Sequence, residues 1–81
     1  MENRVAVISI IVEKNESVSQ LNALLHEYNE YIIGRMGIPY RQKGLNIISI
    51  AVDAPTDTIN ALTGAIGRLD GISAKAATAT A

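Results

Sequence analysis

Two stretches of this chain, Val5 to Val12 and Leu45 to Val52, are apolar at almost every position, broken only by Ser9, Asn46 and Ser49. Both are short, rich in β-branched residues and bounded by polar or turn-forming residues, which predicts strands with two apolar faces. Elsewhere the period changes. Val18, Leu21, Leu25 and Tyr28 recur at helical spacing behind Ser17, and Gln20 follows three residues later, so a capping box is expected to open a first helix. Ile59, Leu62, Ile66 and Leu69 form a second stripe, with Thr56 as its expected N-cap, Asp57 on the positive end of the helix dipole and Gly71 as the stop.

The halves repeat. Ile8-Ser9-Ile10-Ile11-Val12-Glu13 returns as Ile48-Ser49-Ile50-Ala51-Val52-Asp53, and Leu21-Asn22-Ala23-Leu24 returns as Ile59-Asn60-Ala61-Leu62. Each half reads as strand, helix, strand, so residues 1–81 form a single α+β domain of ferredoxin-like order βαββαβ: a four-stranded antiparallel sheet with two helices on one face. The segment Ile32-Ile33-Gly34-Arg35-Met36-Gly37 also has the lettering of the GXXG loop with which KH domains clamp RNA. A KH loop leads into a helix, whereas Ile38-Pro39-Tyr40-Arg41-Gln42-Lys43-Gly44 punctuates a turn. Tyr31 to Ile38 is therefore expected to be the second strand, with Gly34 and Gly37 as bulges or points of close backbone approach. The last strand should begin near Ile72 and run into an Ala/Thr tail, Ala76 to Ala81, that is expected to fray.

Alternation places Ala6, Ile8, Ile10 and Val12 with Ile48, Ile50 and Val52 under the helices. Val5, Val7, Ser9 and Ile11, with Leu45, Ile47, Ser49 and Ala51, then fall on the other face. A solvated face alternates with polar residues, and this one does not. The expected cover is a second copy, in a homodimer or tetramer whose interface includes Val5, Val7, Ile11, Leu45 and Ile47. Gly64, Gly67 and Gly71 with Asn60 form a strip of small residues, either a second subunit contact or a weak point of the helix.

Composition narrows the chemistry. The 81 residues are 48% apolar and 19% charged, with net charge −1 and no cysteine, which excludes disulfides and thiolate sites and lacks the basic footprint of a nucleic-acid binder. The apolar run after Arg4 meets Glu13-Lys14-Asn15-Glu16 rather than a cleavage site, and no run suffices to span a bilayer, so a cytoplasmic location without membrane contact is expected. His26, the single histidine, lies about 130° around its helix from the apolar stripe, as a surface residue would. Glu13 and Asp53 end antiparallel strands and should emerge at opposite ends of the sheet. No catalytic set, metal site or cofactor fingerprint is present, and a non-enzyme is expected. No acid lies between Glu30 and Asp53, where Arg35, Arg41 and Lys43 fall; this basic hairpin, with Glu13 and Asn15 of the first loop, is the candidate ligand site.

Ile32 to Tyr40, Ile47 to Val52, and Thr58 to Gly64 running into Gly67 to Ile72 together resemble the regulators of the iron-only hydrogenase system, a small family related to ACT domains. The resemblance spans essentially the whole chain. It implies an ACT-type regulatory domain that assembles through its sheets and takes a small effector or protein partner. Related nickel-responsive transcription factors join such a domain to a DNA reader and bind metal through His and Cys; here the first strand is expected within a few residues of Met1 and those ligands are missing. ACT domains carry glycine in the loop that here reads Glu13-Lys14-Asn15-Glu16. The alternatives from other classes are a nucleic-acid-binding module, which this charge balance does not favour on its own, and a purely structural assembly module.

Overall fold

The computed structural model describes residues 2–80. The elements run β1 (Asn3–Val12), α1 (Val18–Glu27), β2 (Ile32–Tyr40), β3 (Leu45–Pro55), α2 (Thr56–Gly67) and β4 (Ile72–Thr78), with single 3₁₀ turns at Asn15–Ser17, Asn29–Tyr31 and Arg41–Lys43. The strands form one antiparallel sheet in the order β2-β3-β1-β4. This is the ferredoxin-like βαββαβ arrangement that the repeat predicts.

The central pairing explains the repeat. Ser9 lies opposite Ser49, with Ile8 opposite Ile50 and Ile10 opposite Ile48, so the duplicated segments face each other around a local pseudo-twofold. Even-numbered residues of both strands then share one face. Ala6, Ile8, Ile10 and Val12 join Ile48, Ile50, Val52 and Ala54 in a core closed by Leu21 and Leu25 of α1 and Ile59, Leu62 and Ile66 of α2. Burying each large aliphatic side chain contributes about 1.5 to 3 kcal/mol.

Details of the ends depart from the sequence reading. Ser17 precedes α1, but its side chain caps nothing there and Gln20 completes no capping box. Its hydroxyl instead donates to the Asp70 carbonyl at 2.6 Å, and Ser17 is buried. Thr56 is the first residue of α2, with Pro55 at the cap position, because the fixed φ of proline (here −58°) leads directly into the helix. Helix α2 ends at Gly67, four residues before the expected stop. Strand β2 extends to Tyr40, since Pro39 lies on an edge strand where an absent N–H can face away from the ladder. Gly34 adjoins a register irregularity; Gly37 is regular strand, and a Cβ there would meet only ordinary contacts at 3.9 Å. The tail holds on through Ala79, whose N–H donates to the Val5 carbonyl at 2.8 Å; Ala81 lies outside the described residues.

Gly71 is needed at the turn into β4 for two reasons. Its φ is +70°, and a Cβ there would stand 2.5 Å from Lys14 Cγ and 2.8 Å from Lys14 Cβ. Lys14 crosses this turn to pair with Asp70 at 2.9 Å. The hydrogen bond that Lys14 donates to the Asp70 carboxylate, and then the Asp70 charge, raise the Lys14 pKa. The raised value means that this contribution is present at neutral pH and lost only as pH rises through the lysine range, and the exposure of both groups keeps it small. Glu13 N–H completes the join by donating to the Gly71 carbonyl at 2.7 Å.

Gly71→Ala is expected to lower stability by more than Gly44→Ala. Gly44 also has positive φ (+65°) but nothing within 4 Å of a Cβ, so its cost is the left-handed strain alone, about 1 to 2 kcal/mol. Urea denaturation of the two variants checks the order. Ser17→Ala should cost about 1 to 3 kcal/mol by leaving the Asp70 carbonyl without its donor, read in the same way.

Candidate functional site

The register sorts the exposed side chains into three rows across the open face of the sheet. Gly34, Ala51, Val7 and Ala77 form one, Met36, Ser49, Ser9 and Lys75 the next, and Ile38, Ile47, Ile11 and Ser73 the third. Beyond them lie Val5 opposite Asp53, and Tyr40 opposite Leu45. Val5, Val7, Ile11 and Ile47 are each 40 to 45% exposed, Ile38 54% and Met36 63%. Large apolar groups are thus exposed almost continuously across this face.

Two polar clefts flank the sheet. Asn15, Pro39, Arg41, Gly44, Leu45 and Asn46 line one, with a volume of about 480 Å³. It forms because the turn after β1 and the β2–β3 turn end side by side, where Asn46 Nδ2 donates to Asn15 Oδ1 at 2.9 Å. The other, about 370 Å³, is lined by Asn22, Leu25, His26, Asn29, Ile32 and Arg35. Arg35 Nη2 donates there to Asn22 Oδ1 at 3.0 Å. Each lining has one guanidinium, side-chain amides and no carboxylate. Both clefts therefore offer donors to a carboxylate or another anion.

The five candidate ligand residues are thus divided. Asn15 and Arg41 share a cleft, Arg35 lies in the other, and Glu13 and Lys43 line neither. The reason lies in β2. Its irregularity before Gly34 sets Arg35 opposite Ile50, on the helix side, and six residues of strand, roughly 20 Å, separate it from Arg41. Asn22 and His26 stand one turn apart on α1 and Asn29 begins the 3₁₀ turn that follows; only packing brings Arg35 into the same cleft. His26 is exposed. Glu13 and Asp53 lie at opposite ends of β1 and β3. Among the described residues no three His, Cys, Asp or Glu side chains are grouped to hold a metal ion, and no helix is long and apolar enough to cross a membrane.

Comparison with known proteins adds an independent line. Uncharacterized protein TM1266 from Thermotoga maritima superposes with a TM-score of 0.93 at 32% identity, covering 98% of this chain and all of that one. A formyltetrahydrofolate deformylase from Pseudomonas putida KT2440 matches over 90% of this chain and 28% of its own, with a TM-score of 0.65 at 14% identity. The de novo designed protein Foldit4 matches with a TM-score of 0.63 at 21% identity over 99% of both chains. These last two likenesses concern the fold alone. No curated protein sequence matches the chain. Residues 4–76 match the model of the TM1266-like family, whose description reads "Iron-only hydrogenase system regulator, putative". With that match across nearly its full length, the chain belongs to the TM1266-like family of iron-only hydrogenase system regulators.

Proposed function

We propose that this chain is a non-catalytic, ACT-like regulatory domain that works as a homodimer or tetramer, binds a small effector or a protein partner, and thereby regulates the iron-only hydrogenase system. The observation that carries this reading is the uncovered apolar face of the sheet, built from Val5, Val7, Ile11, Met36, Ile38 and Ile47. A catalytic domain concentrates its unusual side chains in a cleft; here the unusual feature is a broad surface suited to assembly. The family supplies the regulated system.

Effector binding belongs in the cleft of Asn15 and Arg41. Two turns from different halves of the chain close it, so an anion held there would tie one turn to the other. An effector can shift an assembly only through a difference in affinity between its states, and a site made of two turns beside an interface can supply such a difference.

Native mass spectrometry of the unmodified chain should give a dimer or tetramer. Val7→Glu or Ile47→Glu should convert it to a monomer with unchanged circular dichroism, because each charge would be desolvated at the interface yet remain wet on a free subunit. A monomeric unmodified chain removes the self-association reading. The same spectra test the ligand: a mass that co-purifies with the protein should vanish in Arg41→Glu and persist in Arg35→Glu. Removing a charged hydrogen-bond donor costs about 1.5 to 3 kcal/mol, roughly ten- to a hundred-fold in affinity. Equal retention in both variants sinks this placement.

A further inference from the structure

The helix side of β2 is left bare. Arg35, Gly37 and Pro39 fall on that side, opposite Ile50, Ile48 and Asn46 of β3, yet all three are exposed, so α1 does not close over them. Gly37 marks how open the gap is. A Cβ there would meet only the Ile47 carbonyl oxygen and Ile48 Cγ1 of β3, both at 3.9 Å, and no atom of α1 within 4 Å. Ile48 beneath it keeps 8% exposure, where Ile8, Ile10 and Ile50 keep none.

This gap joins the two clefts into a trough. Arg35 stands at one end and Arg41 at the other, roughly 20 Å apart along the chain. The facing wall is Asn22 and His26 of α1, with Asn15 in the turn before the helix and Asn29 in the turn after it. From Asn15 to Asn29 this wall also runs roughly 20 Å. Neither cleft is lined by a carboxylate, and the sequence carries no acid between Glu30 and Asp53.

Such a trough selects its occupant. Its guanidinium groups stand at the ends, and between them lie glycine, the edge of Ile48 and carboxamides. A nucleic-acid strand carries a phosphate at every nucleotide and would set charge over Gly37 and Ile48, where nothing answers it. A peptide is charged only where its side chains make it so, and its backbone N–H and C=O groups match carboxamides, which both donate and accept. A guanidinium takes a carboxylate side chain through two parallel hydrogen bonds. Arg35 gives one N–H to Asn22 Oδ1 at 3.0 Å, and its remaining donors are left for a ligand. About six residues of extended peptide cover 20 Å.

We infer that the trough between α1 and β2 is a docking site for an extended acidic segment of a partner protein, two carboxylates about six residues apart being held by Arg35 and Arg41. The inference rests on the partner-binding reading above and gives that partner its chemistry. A small effector needs the Arg41 cleft alone, whereas this partner needs both clefts and the gap across Gly37. The trough lies on the helix side, so its occupation leaves the apolar face of the sheet free.

Two capped heptapeptides of equal composition would be titrated into the isotope-labelled chain and followed by two-dimensional NMR. Asp-Thr-Ala-Thr-Ala-Thr-Asp sets its acids at the two ends; Asp-Thr-Ala-Asp-Ala-Thr-Thr sets them half as far apart. The wide-spaced peptide should move the backbone signals of Arg35, Gly37 and Arg41 and bind at least about ten-fold more tightly, because its second carboxylate reaches the second arginine. Arg35→Gln and Arg41→Gln should each weaken it roughly ten- to a hundred-fold. Gly37→Val fills the gap with a residue that suits a strand and has room for its Cβ, so it should abolish binding without lowering the melting temperature. No shift at millimolar peptide, equal affinity for the two peptides, or undiminished binding by Arg35→Gln overturns the trough. Those results leave the small-effector reading of the Arg41 cleft, which the co-purified mass tests separately. A single-stranded deoxythymidine heptamer that moves the same signals more strongly than the peptide also overturns it.

Discussion

Everything in this molecule depends on a sheet that has two apolar faces and only two helices to cover them. The β1–β3 register sends Ile8, Ile10, Ile48 and Ile50 toward the helices, and α1 and α2 seal that side completely. Neither helix can reach the other side. A domain of this size buries roughly 60 to 65% of its unfolded surface, so leaving a full sheet face to water is a large sacrifice for a small core.

The turns make a second unit, tighter than their sequence suggests. Ser17, Asp70, Gly71, Lys14 and Glu13 knit the entry of α1 to the entry of β4 through a buried hydroxyl, a backbone hydrogen bond and a surface ion pair. The hydroxyl and the backbone bond hold the two halves of the repeat at a fixed distance; the exposed ion pair adds little. On the other flank of β1, at the same end of the sheet, Asn15 and Asn46 make the corresponding join beside Arg41. Both walls of the cleft at this join are anchored to central strands.

Membership of the TM1266-like family places the chain among the iron-only hydrogenase system regulators. The two clefts are alike in chemistry and differ in position: one lies where turns from both halves converge, the other between α1 and the edge strand. Position, more than donor content, distinguishes them.

Much of this was legible in the chain itself. The internal repeat and the change from period two to period 3.6 determined the element order, the core face and the bare face, because those depend only on which residues recur and at what interval. The capping box at Ser17 was misread because a hydroxyl that can cap a helix can also reach a carbonyl 53 residues away, and local spacing does not distinguish the two. The grouping of Arg35 with Arg41 failed for a related reason: a single irregularity near Gly34 decides which face a side chain takes, and nothing in the letters marks how the register slips. The sequence alone thus determined the architecture, which follows from hydrophobic period. Only the tertiary structure decided which polar groups meet, because those contacts join residues distant along the chain at separations set by packing.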